Sequence, residues 1–158
     1  MKEKIKVFAV SIFISLAVGA LSAFFTRNSM GIYNDIVRPF LSPPSWLFPV
    51  VWTVLFILMG ISAAIIYLNK TASAAQKNSA LLTYALSLFV NFFWSIIFFN
   101  LRAFLLASIW ILLLLYLIIR TIMKYYKINK TAAYLQIPYL VWVSFATYLT
   151  FAIWYLNR

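Results

Sequence analysis

The sequence predicts an all-α membrane protein, a single domain of residues 1–158 built as a bundle of five transmembrane helices. Hydrophobic residues make up 66% of the chain and charged residues 9%, against about 45–50% and about 25% in soluble domains. Five stretches carry the roughly 20 apolar residues that a helix needs to cross a bilayer. The unbroken apolar run from Ile111 to Ile119 lacks the alternation of barrel strands, so helices are predicted.

The five helices are expected at Ile5 to Thr26, Leu47 to Asn69, Ser79 to Asn100, Ala103 to Met123 and Ala132 to Leu156. The first follows a basic start, as a signal peptide would, but its apolar run exceeds the 7–15 residues typical of one, so we predict a retained helix. Short connections after the second, third and fourth helices make neighbours antiparallel. The long connection, Arg27 to Trp46, is predicted to be an external loop.

The charges predict the orientation and exclude several functions. Nine of the 13 cations lie on the side of the N-terminus and the loops around 70–77 and 120–130, so the positive-inside rule predicts a cytoplasmic N-terminus and an external C-terminus. Because the cations flank apolar segments, they indicate membrane anchoring and no nucleic-acid partner. With no Cys or His, and with Glu3 and Asp35 as the only acids, neither a metal site nor a conventional hydrolase is expected.

Small residues predict a close helix crossing. The first helix carries Ser11, Ser15, Gly19 and Ala23 at four-residue spacing, and the second carries Gly60 and Ala64. Such spacing lets two backbones approach closely in lipid. We interpret both stripes as packing surfaces.

Polar side chains on the third helix indicate an interior face. Thr83, Ser87, Asn91 and Ser95 share one side. Because an amide is costly in lipid, Asn91 is expected either to bond a neighbouring helix or to line a cavity.

The fifth helix contains Pro138, which removes a backbone hydrogen bond to Tyr134 and predicts a kink. Beyond it, Trp142 is expected deep in the membrane, where its indole N–H needs a partner. It is either a core residue or part of a site.

The loop between the first two helices is rich in proline, which stiffens it. We interpret it as a lid over the mouth of the bundle, in which Asp35 and Arg38 pair.

Three blocks of the sequence carry a family resemblance. They are Tyr33-x4-Arg38-Pro39-x3-Pro43-Pro44-x-Trp46-x-Phe48-x3-Trp52, the run from Asn91 to Arg102, and Pro138-Tyr139-x2-Trp142-x-Ser144-Phe145-Ala146-Thr147. In these blocks the chain resembles the translocator protein family, also called tryptophan-rich sensory proteins, TspO/MBR proteins or peripheral-type benzodiazepine receptors. It is identified as a bacterial member, in the cell membrane.

The resemblance implies a dimeric five-helix bundle with a pocket below the first loop. It implies binding of protoporphyrin or haem, or of sterol-like and synthetic aromatic ligands, with no cofactor required and membrane lipid around the bundle. The expected ligand-binding residues are Tyr33, Asp35, Arg38, Pro43, Pro44, Trp46, Phe48, Trp52, Asn91, Trp94, Ser95, Trp142, Phe145 and Ala146. In this interpretation Arg38 meets the carboxylates of the ligand at the mouth.

Three functions remain open from the sequence. The first is a tetrapyrrole sensor, scavenger or transport facilitator. The second is light-dependent porphyrin degradation, for which the resemblance implicates Trp52 and Trp142 as catalytic residues. The third is a structural or assembly membrane protein.

Overall fold

The computed structural model describes residues Met1–Arg158, and all of its regular secondary structure is helical, which confirms the predicted fold class. Five helical segments are long and apolar enough to cross a membrane. The elements are α1 (Lys2–Thr26), α2 (Ile32–Asp35), α3 (Leu47–Leu68), α4 (Ala74–Ser95) with a π-helical turn (Ile96–Asn100), α5 (Phe104–Tyr126), α6 (Lys130–Leu135) and α7 (Ile137–Asn157). The spans are α1, α3, α4 with its π-helical turn, α5, and α6 with α7.

Several helices extend beyond the apolar stretches that predict them. The clearest case is α4, which begins at Ala74 instead of the predicted Ser79. The hydroxyl of Ser73 accepts a hydrogen bond from the backbone N–H of Gln76, and the side chain of Gln76 accepts one from the backbone N–H of Ser73. This capping box satisfies the first free N–H groups, so the helix starts in the polar segment before the membrane.

The fifth span is interrupted near the predicted kink. It consists of α6 and α7 on either side of Gln136, and Pro138 lies in the first turn of α7, where a missing N–H is tolerated. Gln136 is fully buried and donates through Nε2 to the Ser62 hydroxyl at 3.2 Å, while Ser62 donates to the carbonyl of Ala132 at 2.8 Å. These two hydrogen bonds hold the break between α6 and α7 against α3.

The small residues of α1 and α3 form the predicted close crossing. Ser11 donates to the carbonyl of Gly60 at 2.7 Å, and Ser15 donates to that of Phe56 at 2.6 Å. A Cβ atom at Gly60 would lie 2.5 Å from the Cα atom of Ile12, so only glycine permits this approach. The packing interpretation of these stripes is confirmed at Ser11, Ser15 and Gly60.

The first loop is folded against the end of the bundle. It contains the short helix α2, in which Tyr33 is buried and donates to the carbonyl of Pro43 at 2.6 Å. Two residues of α7 hold the rest of the loop. Tyr148 donates to the carbonyl of Phe40 at 2.6 Å, and the amide of Asn157 bonds both the N–H and the carbonyl of Val37.

Candidate functional site

A cavity of about 780 Å³ lies beneath the first loop, between α1, α3, α4 and α7. Its volume falls within the range of about 300–1,000 Å³ that small-molecule sites occupy. Nine residues expected from the sequence line it, and the structure brings them together from four parts of the chain. They are Tyr33, Trp46, Phe48, Trp52, Asn91, Trp94, Ser95, Trp142 and Ala146.

Aromatic rings form two contacting groups in the wall of the cavity. The ring of Phe48 packs edge-to-face on Tyr33, with centroids 5.1 Å apart, and on Trp142, with centroids 5.8 Å apart. Trp52 stacks on Phe56 at 5.5 Å. Because each ring is fixed by another ring, this wall is a rigid apolar surface suited to a flat ligand.

The π-helical turn after α4 forms another part of the wall. Phe98 stacks on Trp94, with centroids 5.2 Å apart, and Phe98 and Phe99 pack edge-to-face at 4.9 Å. All three line the cavity. A π-helical turn is wider than an α-helical one and is frequent at functional sites, and here it adds two rings to the wall.

Two tryptophans of the cavity wall bury an indole N–H that has no hydrogen-bond partner. The Nε1 atoms of Trp94 and Trp142 are buried and unpaired. By contrast, Trp110, which does not line the cavity, donates to the carbonyl of Val90 at 2.8 Å. An unpaired buried donor costs about 1–3 kcal/mol. Both residues line the cavity, and each therefore holds an unpaired donor within its wall.

The polar face of α4 points into the bundle, as the sequence predicts. Thr83, Ser87 and Asn91 are all buried. Asn91 donates through Nδ2 to the hydroxyl of Tyr139 at 3.1 Å, and it also lines the cavity. Both roles that the sequence leaves open for Asn91, a bond to a neighbouring helix and a place in a cavity wall, are therefore present.

Five of the expected residues do not line the cavity, namely Asp35, Arg38, Pro43, Pro44 and Phe145. Arg38 is exposed, and its guanidinium lies 4.9 Å from the centre of the Tyr33 ring instead of pairing with Asp35. Pro43 is buried and accepts the bond from Tyr33, and Phe145 packs against Trp142 at 5.8 Å. Arg38, Pro43 and Phe145 thus contact residues that line the cavity but do not line it themselves. Asp35 and Pro44 are exposed.

The sequence interpretation missed the contribution of α1. Six of its residues line the cavity, namely Leu16, Gly19, Ala20, Ser22, Ala23 and Thr26. The small-residue stripe of α1 includes Gly19 and Ala23, but close packing of two helices is enough to explain that spacing, so the sequence does not indicate a cavity there. At Gly19 a Cβ atom would lie 2.5 Å from the ring of Phe56, so this glycine makes room for a ring of the cavity wall.

No Lys, Arg, Asp or Glu side chain lines the cavity. Its polar groups are hydroxyls, amides and indole N–H groups, two of which are buried without a partner. An apolar surface with a few neutral donors binds a large uncharged ring system and leaves any charged substituent at the mouth, because an unpaired charge is costly to bury.

The similarity of this chain to known proteins extends over most of its length. The model of the TspO/MBR family matches residues 11–156. The chain is similar to the tryptophan-rich protein TspO of Chlorobaculum tepidum, with 38% identity over 99% of both chains. It is also similar to the tryptophan-rich sensory protein of Cereibacter sphaeroides, with 30% identity over 79% of this chain and 76% of that one. The translocator protein of Bos taurus is 29% identical over 89% of this chain and 83% of its own.

Proposed function

Because the chain belongs to the TspO/MBR family of integral membrane proteins, we propose that its cavity binds a tetrapyrrole such as protoporphyrin or haem. The observation that carries the proposal is the wall of aromatic rings around the cavity, in which the indole N–H groups of Trp94 and Trp142 have no partner. Relatives bear the names sensory protein and translocator protein. For this chain the proposed role is that of a sensor, scavenger or transport facilitator.

The physical support is the match between ligand and wall. A tetrapyrrole has a large flat apolar face, which stacks favourably on indole and phenyl rings. Its accessible hydrogen-bond acceptors are the carboxylate oxygens, because the ring nitrogens point to the centre of the macrocycle, and Trp94 and Trp142 are able to donate to them. A carboxylate that the indoles do not bind would lie at the mouth, since no cation lines the interior.

The test is a titration of the purified protein with protoporphyrin IX, followed by the absorption of the porphyrin. Trp94→Phe and Trp142→Phe keep an aromatic ring but remove the N–H, so we expect each to weaken binding. The matched control is Trp154→Phe, because Trp154 lies outside the cavity. Equal affinity of the wild type and both cavity variants would show that the unpaired N–H groups do not bind the ligand.

A second candidate function is light-dependent degradation of the bound porphyrin. It is favoured by the positions of Trp52 and Trp142, two readily oxidised side chains that both line the cavity. No carboxylate or ammonium group lines the cavity to perform acid–base catalysis. Excitation of the porphyrin would therefore have to start the reaction.

The test of this second function is a bilin-like product that forms only with light and oxygen. The double variant Trp52→Phe, Trp142→Phe is expected to lose that product, and a dark sample is the control. Product formation by the double variant at the wild-type rate would exclude these tryptophans. Absence of porphyrin binding in the wild type would leave the structural or assembly function.

We also propose that the N-terminus is cytoplasmic and that the cavity opens on the external side. The support is the charge difference between the two ends, nine cations against four. A reporter fused after Arg158 should be external, and one inserted at residue 75 should be cytoplasmic. A cytoplasmic reporter at the C-terminus would contradict this orientation.

A further inference from the structure

A lysine is held between α4 and α5 at the end of the bundle opposite the cavity. The Nζ atom of Lys124 donates to the hydroxyls of Ser79, at 2.9 Å, and Thr83, at 2.8 Å. Lys124 is half-buried. Both partners are neutral, and the only acidic side chains of the chain, Glu3 and Asp35, are not among them. The ammonium charge is therefore positioned but not neutralised by the protein.

Two hydrogen-bond donors remain free at this position. An ammonium group has three N–H bonds, and Lys124 uses two of them. Thr83 donates its own hydroxyl hydrogen to the carbonyl of Ser79 at 2.9 Å, whereas the hydroxyl of Ser79 only accepts. The third N–H of Lys124 and the O–H of Ser79 are thus unused on atoms 2.9 Å apart. Two adjacent donors, one of them charged, suit an anionic oxygen.

The surrounding side chains place Lys124 at the level of lipid headgroups. Lys77 lies 5.7 Å from the ring centre of Tyr67, and Lys130 lies 5.5 Å from that of Tyr126. Both tyrosines are exposed. Tyrosines and lysines at the ends of spanning helices are typical of the interface between membrane and water.

The electrostatics of this end favour an anionic ligand. Arg120 and Lys127 lie four residues before and three residues after Lys124 on α5 and its C-terminal end, so the three cations share one side of the helix. Glu3 is the only acid among the nine cations at this end. Basic positions between transmembrane helices attract anionic headgroups.

We propose that Lys124 and Ser79 bind the phosphate group of an anionic phospholipid, with Thr83 holding the ammonium group of Lys124 in position. A lipid is favoured over free phosphate because the neighbouring side chains toward the membrane, Leu82 and Met123, are apolar and are 61% and 49% exposed. They offer a surface to the acyl chains, from which a free ion would gain nothing. This site is separate from the cavity and does not depend on the proposed tetrapyrrole binding.

The experiment measures lipids retained by the intact protein in native mass spectrometry. The protein is exchanged into detergent containing phosphatidylglycerol and phosphatidylcholine with identical acyl chains. We expect the wild type to retain phosphatidylglycerol preferentially. Ser79→Ala and Lys124→Gln should each lower that retention by about fivefold, as expected for loss of one charged or charge-assisted contact. Ser79 is exposed, so its variant tests the site even if Lys124→Gln folds poorly.

The matched control is Lys127→Gln, which also removes one positive charge. Lys127 lies three residues after Lys124, its side chain is exposed, and no hydroxyl group holds its ammonium group. It should change retention by less than about twofold. Equal losses in Lys124→Gln and Lys127→Gln would overturn the proposal in favour of a diffuse cationic surface. Equal retention of the two lipids by the wild type would also overturn it. If the wild type retains inorganic phosphate but no phosphatidylglycerol when both are supplied, the ligand is free phosphate and the lipid assignment is wrong.

Discussion

The side chain of Asn91 joins two helices and borders the cavity at the same time. Its Nδ2 atom donates to the hydroxyl of Tyr139 at 3.1 Å, which ties α4 to α7. Asn91 also lines the cavity, whereas Tyr139 is fully buried behind it. The ring of Tyr139 in turn lies edge-to-face against Trp52, with centroids 6.3 Å apart. One hydrogen bond therefore ties α4 to α7 directly behind the cavity wall.

This arrangement predicts different effects for the two partners. Tyr139→Phe keeps the ring but removes the hydroxyl, so we expect a loss of stability of about 0.5–1.5 kcal/mol and little change in porphyrin affinity. Asn91→Leu removes the bond and also the amide in the cavity wall, so both stability and affinity should fall. Thermal unfolding in detergent and porphyrin titration measure the two quantities. If Tyr139→Phe lowers the affinity as much as Asn91→Leu does, the amide is not a ligand contact.

Much of the fold could be predicted because lipid imposes simple requirements on sequence. The five spans follow from the length of apolar runs, and the crossing of α1 and α3 follows from small residues at four-residue spacing. The break at Gln136 could not be placed, because Pro138 suits both a kinked helix and the first turn of a new one. The choice depends on the buried bond from Gln136 to Ser62, which no local pattern shows.

The cavity could be predicted only in part, because some of its residues fit two structures equally well. The ring of Trp142 and the amide of Asn91 stand out in apolar helices, so sequence reasoning selects them, whereas Trp52 is expected only from the family resemblance. A small residue such as Gly19 suits close packing and a cavity wall equally well. Arg38, which the sequence predicts at the carboxylates of a ligand, does not line the cavity itself and lies on the ring of Tyr33.

The crossing of α1 and α3 makes a prediction on stability. At Gly60 a Cβ atom would lie 2.5 Å from the Cα atom of Ile12, which is backbone and cannot rotate away. Gly60→Ala should therefore push α1 outward and destabilise the protein by about 1–3 kcal/mol. Gly31→Ala is the control, because a Cβ atom at that position would have no neighbouring atom within 4 Å. Equal thermal unfolding midpoints for the two variants would contradict a crossing this close.

The contacts between the first loop and α7 predict an effect on ligand exchange. Asn157 accepts a hydrogen bond from the N–H of Val37 at 3.0 Å and donates to its carbonyl at 2.9 Å. In Asn157→Ala the loop loses both, and a loss of about 1 kcal/mol should speed porphyrin dissociation about fivefold. Stopped-flow dissociation measures this rate, with Asn78→Ala, at the other end of the bundle, as the control. An unchanged rate in Asn157→Ala would mean that the ligand does not leave past this loop.

Substitutions of Arg38 separate the effect of its charge on ligand binding from its effect on the structure of the first loop. Its guanidinium lies 4.9 Å from the ring centre of Tyr33, and Tyr33 lines the cavity. Arg38 is therefore one ring away from a bound ligand and exposed at the mouth, where a ligand carboxylate can reach it. Arg38→Lys keeps the charge but loses the bidentate geometry, and Arg38→Ala loses both.

For protoporphyrin IX, which carries two carboxylates, we expect the affinity to fall in the order wild type, Arg38→Lys, Arg38→Ala, by about 1–3 kcal/mol at the extreme. The dimethyl ester of the same porphyrin has no carboxylate, so its affinity should change little. Arg27→Ala is the control, because Arg27 lies at the same end but stacks on Phe24 outside the cavity. Equal losses for acid and ester would mean that Arg38 acts by holding Tyr33 in place. If neither affinity changes, Arg38 does not contribute to the site.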